Sequence, residues 1–244
     1  MIDVVMPLGT GCDWKEHYEL KYCIRSLEKN LQGLRNIYIV GHKPSWITNV
    51  IHIPADDPLP RNKDGNIINK ILLACNTKEL SDNFLRISDD QMILQPSGIE
   101  ELQPNHSGCL SKIQKWRSSK WLRRLKRTYE YLKERNLPTY NYDIHIPFVV
   151  NKVQFKEVWN NVDFESDIGY CINTLFFNVS FPNMENISYI WDQKCTVEKN
   201  IYPKEKIYEM LDGKRFLGYN MYGLNDHLKI VIQELFPHKS KYEF

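Results

Sequence analysis

The stretch Ile2-Asp-Val-Val-Met-Pro-Leu-Gly-Thr-Gly11 begins with a short apolar run and ends in a loop that contains two glycines. An unbroken apolar run of this length is typical of a buried strand in a parallel sheet, where both faces are covered. Residues 14–31 follow with apolar side chains at helical spacing, and residues 36–41 form a second apolar run that ends at glycine. The sequence therefore predicts a strand–helix–strand unit at the start of the chain.

The same alternation of elements continues over the first hundred residues. We predict a third strand at 50–53, a second helix at 67–80, and short strands at 84–87 and 92–94. Farther along, we predict aromatic-rich strands such as 170–178 and short helices near 204–211 and 224–235. This order predicts an α/β fold with a Rossmann-like, mixed but mostly parallel sheet flanked by helices.

The composition is that of a globular protein. The chain has 244 residues, of which 42% are hydrophobic, and its mean hydropathy is −0.49. No apolar run approaches the roughly 20 residues of a spanning helix, so we expect no transmembrane segment. No basic region precedes an apolar stretch at the start, so we expect no signal peptide. Six scattered cysteines without metal-ligand spacing fit a reduced, cytoplasmic protein better than a disulfide framework.

Positive charge is concentrated in one segment. The formal net charge is only +2, but residues 111–135 carry +8 and the rest of the chain carries −6. From about Ser118 this segment has helical periodicity, and the helix is expected to end before Pro138. Three interpretations remain open: a solvated helix face, a face that docks on an anionic membrane or glycan, and a face that binds nucleic acid.

An acidic pair, Asp89-Asp90, lies between the predicted strands 84–87 and 92–94. Adjacent carboxylates at the end of a strand repel each other unless a cation or a proton lies between them. Mg²⁺ and Mn²⁺ bind one or two carboxylates and complete their coordination with phosphate oxygens. The pair is therefore a candidate metal site for a diphosphate, and the alternative is a solvated acidic turn.

Two further polar clusters leave similar alternatives. Arg61, Lys63 and Lys70 surround a predicted helix start, an arrangement that favours phosphate, although a polar loop before a helix looks the same. In the loop at 141–147, alternation directs Asp143 and His145 to the same side. This histidine is a candidate metal ligand or proton carrier, and the alternative is a structural histidine.

Several segments together resemble the conserved regions of the Stealth family, which comprises sugar-phosphate transferases of capsule synthesis with a core like that of GT-A glycosyltransferases. The segments that carry the resemblance are residues 2–5, 19–27, 34–40, 44–46 and 84–96, the last with its acidic pair. Residues 142–147 and 236–243 are similar to small glycosyltransferase-like proteins of phages and bacteria. The resemblance implies one GT-A-like domain over residues 1–244, with a nucleotide-sugar-binding half at 1–100 and an acceptor-binding half at 101–244 that contains the basic helical segment 111–136.

The resemblance also implies roles for particular residues. Asp89, Asp90 and His145 are expected to bind Mn²⁺ or Mg²⁺, and Asp143 and Asp90 are the candidate catalytic residues. The residues expected to contact the donor, a UDP-sugar, are Leu8, Gly9, Thr10, Arg61, Asn66 and Lys70. Independently of the resemblance, the positive charge of residues 111–135 makes a further set the candidates for binding an anionic acceptor: Lys115, Arg117, Lys120, Arg123, Arg124 and Arg127.

These roles predict a metal-dependent glycosyltransferase that moves a sugar from a nucleotide-sugar to an acceptor hydroxyl. The expected acceptor is anionic: a modified base in phage DNA, or a glycan, including a lipid-linked one. One alternative is a Stealth-type sugar-phosphate transferase that acts on a surface or capsular glycan. A second alternative is a nucleic-acid-binding module without catalytic activity.

Overall fold

A computed structural model describes residues 1–113, 119–182 and 193–244 of the chain. Its strands and helices alternate from the first residues onward. The strands are β1 (Ile2–Leu8), β2 (Leu34–Gly41), β3 (Ile51–Ile53), β4 (Asn83–Arg86), β5 (Met92–Ile93), β6 (Phe148–Asn151), β7 (Lys194–Val197) and β8 (Phe216–Tyr219). The helices are α1 (Tyr18–Asn30), α2 (Lys63–Cys75), α3 (Lys120–Glu134), α4 (Lys152–Asn160), α5 (Ile172–Ser180), α6 (Lys204–Leu211) and α7 (Asp226–Leu235).

The main sheet has five strands in the order β3-β2-β1-β4-β6. The first four strands are parallel, and β6 joins β4 in the antiparallel direction. The strand order reverses beside β1, because β2 lies on one side of it and β4 on the other. In open α/β sheets such a reversal leaves a crevice at the carboxyl ends of the strands, where ligands bind.

A second sheet of three strands has the order β5-β8-β7. In this sheet β5 is antiparallel to β8, and β7 is parallel to β8. It has its own small core with α6 and α7, built around residues such as Val197, Leu217 and Ile232. The helices pack on both sheets, so the predicted fold class, a mixed but mostly parallel sheet flanked by helices, is confirmed.

The predicted strand at 170–178 is wrong, because this segment forms the helix α5. Every residue from Ile172 to Asn178 is buried, including Leu175, Phe176 and Phe177. A short segment that is buried on all sides shows neither helical nor strand periodicity in its polarity. The aromatic residues favoured a strand by propensity, and packing against β6 and α4 overrides that propensity.

Two predicted helices begin at other residues than expected. Glu16 and His17 have φ angles of 60° and 57°, so the segment before Tyr18 is an irregular turn, and α1 begins only there. Helix α2 begins at Lys63, four residues before the predicted start, because the Asn62 side chain accepts a hydrogen bond from the Gly65 amide. Such an Asn cap satisfies a backbone donor of the first turn.

None of the helices in residues 1–113, 119–182 and 193–244 is long and apolar enough to cross a membrane. All six cysteines lie in these ranges, and none of them forms a disulfide.

Asp3 joins the amino-terminal ends of three strands. Its side chain is fully buried in β1 and accepts hydrogen bonds from Arg35 and Asn36 of β2 and from the amide and hydroxyl of Ser81, just before β4. Burial acts to raise the pKa of Asp3, but the hydrogen bonds from Arg35 and Ser81 outweigh it, and the pKa lies below the ordinary value of 3.8. The ionised carboxylate therefore stabilises the fold.

We expect Asp3→Asn to lower the free energy of unfolding by about 1–3 kcal/mol at pH 7, because the buried donors then face an amide instead of a carboxylate. Since the pKa of Asp3 is lowered on folding, its contribution is present above pH 4 and disappears as the pH falls through the folded-state pKa. Urea unfolding at several pH values measures the difference. The control is Asp82→Asn, because that side chain is 80% exposed; an equal effect of both variants would contradict the role of Asp3.

Candidate active site

A cleft of about 610 Å³ lies at the carboxyl ends of β1 and β4. We call it the first cleft. Its walls are the loop after β1, the start of α1, the loop and first turns of α2, and the loop after β4. The residues that line it are Pro7–Asp13, Glu19, Asp57, Leu59, Pro60, Lys63, Asn66, Ile67, Lys70, Ser88–Asp90, Lys120, His145 and Tyr219.

A second cleft of about 590 Å³ adjoins the first. The two share Asp13, Asp90, His145 and Tyr219, so a group bound in one lies next to a group bound in the other. The remaining residues of the second cleft are Ser107, Trp121, Asn141, Asp143, Ile144, Lys194, Thr196, Glu198, Asn220 and Met221. Two ligands, one in each cleft, would therefore lie side by side at the four shared residues.

Asp90 and His145 form the boundary between the clefts. The Nε2 atom of His145 lies 3.0 Å from Oδ2 of Asp90. Burial acts to raise the pKa of Asp90, but the charge and hydrogen bond of His145 outweigh it, so the pKa of Asp90 is lowered. The other carboxylate oxygen, Oδ1, is buried and has no hydrogen-bond partner among the described residues. An ionised carboxylate with one unpartnered buried oxygen is a good position for a cation.

Asp89 lies in a less favourable environment for a negative charge. Burial, together with the charges of Asp90 and Glu19, raises the pKa of Asp89 to about 7, and Lys63 only partly offsets this. Without a further cation, the pair therefore holds a proton near neutral pH. Oxygen ligands of this kind suit Mg²⁺ or Mn²⁺. The residues fit the metal: Asp89 and Asp90 would hold it, and the His145 nitrogen lies beside them.

The almost fully buried side chain of Lys70 holds the loop after β1 in place. Its ammonium donates to the Leu8 carbonyl (2.9 Å) and to Asp57 Oδ1 (2.5 Å). Gly41 allows this approach: it has a φ of 110°, and a Cβ there would lie 2.2 Å from the Leu8 carbonyl oxygen. Lys70 thus positions the loop at Leu8 and Gly9 in addition to lining the cleft.

The other predicted donor residues differ in position. Thr10 and Asn66 line the first cleft, and the Asn66 amide also closes the loop before α2 by hydrogen bonds to both the Leu59 amide (2.9 Å) and its carbonyl (3.0 Å). Arg61 lines neither cleft; it is 78% exposed and pairs with Asp167 (3.3 Å). Lys63, at the start of α2, lines the first cleft instead.

Asp143 lies in the second cleft with His145, as the alternation of the sequence predicts. Its carboxylate accepts a hydrogen bond from the indole N–H of Trp121, and its amide donates to the Asn141 side chain (3.0 Å). His145 has a φ of 55°, in the left-handed region, so the backbone turns at this residue. A carboxylate held by an indole in a cleft can accept a proton from a bound hydroxyl.

The basic helix α3 uses two of its four described candidates for packing. Arg124 pairs with Asp64 of α2, and Arg127 donates to Ser166 and lies over the ring of Tyr170 at 4.2 Å. Lys120 lines the first cleft, and Arg123 is exposed. Lys115 and Arg117 lie outside the described residues. The four described candidates therefore do not form one continuous binding face. One lines the first cleft, two pack against neighbouring segments, and one faces solvent.

Several charged or polar residues in or beside the clefts were not predicted from the sequence, among them Glu19, Arg86, Lys194 and Tyr219. Arg86 is 7% exposed, its pKa is lowered by burial, and the nearby Asp143, Asp90 and Asp89 offset this in part. Burial lowers the pKa of Lys194 to about 8. Two of these residues could have been found in the sequence, because Arg86 interrupts the apolar run at 84–87 and Glu19 lies on the buried face of α1. Lys194 and Tyr219 belong to the second sheet, and no local pattern distinguishes them.

The chain is similar to a curated protein and to a solved structure. No family model matches the chain. The chain is 26% identical over 203 residues to a capsular polysaccharide phosphotransferase of Neisseria meningitidis serogroup B; the aligned part is 73% of this chain and 52% of that protein. The chain thus spans about half the length of the curated relative it matches. This similarity agrees with the resemblance to transferases of capsule synthesis, whereas the similarity to small phage proteins stays a prediction.

Among solved structures, the chain is similar to the crystal structure of a glycosyltransferase involved in the glycosylation of the major capsid of PBCV-1. The two share 11% sequence identity with a TM-score of 0.47, and the match covers 96% of this chain and 98% of the other.

We expect Asp89→Asn to stabilise the metal-free protein at pH 8 by about 2–4 kcal/mol and to have little effect at pH 4. Because the pKa of Asp89 is raised to about 7, the wild-type fold loses stability as the pH rises from about 4 to about 7, and the amide removes that loss. Urea unfolding in EDTA at both pH values measures it. Asp56→Asn, at an exposed carboxylate, is the control. A pH-independent difference between Asp89→Asn and wild type would contradict the raised pKa.

Proposed function

We propose that this chain is a divalent-cation-dependent transferase that moves a sugar-containing group from a nucleotide-sugar donor to a hydroxyl of a glycan. One observation carries the proposal: the acidic pair lies in a cleft whose other walls supply lysines and a helix start, and this cleft meets a second one at Asp90 and His145. A donor diphosphate in the first cleft and an acceptor hydroxyl in the second would meet at that boundary.

The first cleft suits a diphosphate. Lys63 and Lys120 line it, and Lys63 begins α2, where backbone amides and the helix dipole favour phosphate. Asp89 and Asp90 would hold Mn²⁺ or Mg²⁺, which supplies positive charge to the leaving phosphate oxygens when bound. The loop at residues 8–10 provides backbone groups and small side chains for the nucleoside, which we expect to be uridine.

The second cleft suits a hydroxyl acceptor. Asp143 is positioned by Trp121 to accept the proton of an attacking hydroxyl. The Nε2 atom of His145 is hydrogen-bonded to Oδ2 of Asp90. His145 therefore orients the Asp90 carboxylate at the boundary where the two ligands would meet. Lys194 donates to the Ile144 carbonyl (2.5 Å) and thereby supports the loop that carries both residues.

The charge of the second cleft favours a glycan over a polyanion. It is lined by four carboxylates, Asp13, Asp90, Asp143 and Glu198, against Lys194 and His145. An aromatic ring, Trp121, and amide side chains complete the lining, which offers an apolar face and hydrogen-bond partners to a sugar. Transfer to DNA stays a prediction, supported by the exposed Arg123 and by the net charge of residues 111–135.

Two bonds of a nucleotide-sugar can be broken in this site. Glycosyl transfer breaks the bond between the anomeric carbon and phosphate oxygen and releases a nucleoside diphosphate. Sugar-phosphate transfer breaks the bond between the phosphates and releases a nucleoside monophosphate. The second is a specific candidate, because the curated relative is a capsular polysaccharide phosphotransferase.

We expect Asp89→Asn and Asp90→Asn each to reduce turnover of a UDP-sugar at least about 100-fold in the presence of Mn²⁺, because each removes negative charge that holds the cation. Release of UMP or UDP, measured by chromatography, is the readout, with Asp56→Asn as the matched control outside both clefts. Unchanged turnover in both site variants would sink the proposal. Salt-dependent DNA binding without any donor turnover would support the non-catalytic alternative instead.

Mass spectrometry of the modified glycan decides which bond breaks. Sugar-phosphate transfer adds one phosphate with each sugar and is accompanied by UMP, whereas glycosyl transfer adds the sugar alone and is accompanied by UDP. From the similarity to the capsular phosphotransferase we expect the phosphate-containing product. A product that lacks phosphate would favour the glycosyltransferase.

A further inference from the structure

Three different metal-binding side chains meet at one edge of the first cleft. One ligand atom each from Cys12, His17 and Glu19 lies within 4.8 Å of the others. Cys12 belongs to the loop after β1 and is exposed, whereas His17 and Glu19 are buried at the start of α1. The trio includes neither Asp89 nor Asp90, although the charge of Glu19 reaches Asp89. It joins two segments of chain that form one wall of the cleft.

His17 gives a second, independent indication of a ligand. Its side chain is 5% exposed, and the Nδ1 atom is buried without a hydrogen-bond partner among the described residues. Burying a polar atom without a hydrogen-bond partner is energetically unfavourable, so such atoms call for an explanation. Imidazole nitrogens are common metal ligands, and a cation bound at the trio would give this nitrogen the partner that it lacks among the described residues.

Glu19 is held in place as a ligand. Its two carboxylate oxygens accept hydrogen bonds from the amides of Asp13 (3.0 Å) and Trp14 (3.1 Å). Each oxygen keeps a further lone pair, because a carboxylate offers about four acceptor positions. These two amides also fix the loop that carries Cys12, so the three side chains approach one another without rearrangement of the backbone.

We propose that Cys12, His17 and Glu19 bind one divalent cation of the zinc class. A thiolate, an imidazole and a carboxylate are a ligand set typical of Zn²⁺, whereas Mg²⁺ and Mn²⁺ prefer the oxygen-only pair of Asp89 and Asp90. Three protein ligands leave a fourth position open toward the cleft that Cys12 and Glu19 line. The cation ties the loop after β1 to α1 and so sets the shape of this wall. This site does not depend on the proposed transferase activity.

Titration of the purified, metal-free protein with Co²⁺ tests the site. Cobalt replaces zinc in such sites, and a coordinated thiolate gives a charge-transfer band in the near ultraviolet. We expect one Co²⁺ per chain with this band, displaced by Zn²⁺. Cys12→Ser should abolish the band and weaken Zn²⁺ binding at least about 10-fold. Cys109→Ser, at the other thiol that is not fully buried, should leave both unchanged.

The outcomes separate this site from the acidic pair. A band that persists in Cys12→Ser, or no band in wild type, would overturn the proposal, as would loss of the band in Asp89→Asn. His17→Gln should also weaken Zn²⁺ binding, and circular dichroism checks that it folds. If it does not fold, Cys12→Ser still decides the question, because Cys12 is exposed and its replacement removes no core contact.

Discussion

The structure places more negative charge at the carboxyl end of β4 than its own cations can neutralise. Asp89 and Asp90 are adjacent, and Glu19 approaches them from α1. His145 stabilises the negative charge of Asp90, with its Nε2 atom 3.0 Å from Oδ2. The pKa of Asp89 is nevertheless raised to about 7. Repulsion of this kind destabilises the fold, and the proposed cation would relieve it. The candidate chemistry of both clefts depends on this imbalance.

The fold brings about the imbalance through its topology. The strand order reverses beside β1, so the loops after β1 and β4 open onto one crevice instead of being covered by a crossover helix. Lys70 and Gly41 fix the first loop from below. The second sheet then adds Lys194 and Tyr219 to the crevice, and the loop before β6 adds Asp143 and His145. Because residues of both sheets line this crevice, it is divided into the first and second clefts.

The local part of this arrangement could be predicted from the sequence, and the long-range part could not. Apolar runs identified β1, β2 and β4, and the acidic pair lay between two short strands as expected. Helix α5 was predicted as a strand, because burial on all sides removes the periodicity that separates the two. Lys194 reaches the site only through the pairing of β7 with β8, and Arg124 packs on α2 instead of facing solvent. Such contacts join residues that are far apart in the chain, and local pattern does not report them.

Anomalous diffraction at the manganese edge, from crystals grown with Mn²⁺ and UDP, would locate the proposed cation directly. We expect a manganese peak against the carboxylates of Asp89 and Asp90, with the diphosphate beside it in the first cleft. We also expect the peak to be absent from crystals of Asp90→Asn. A UDP molecule in the cleft with manganese bound elsewhere, or a peak that persists in Asp90→Asn, would contradict the proposal.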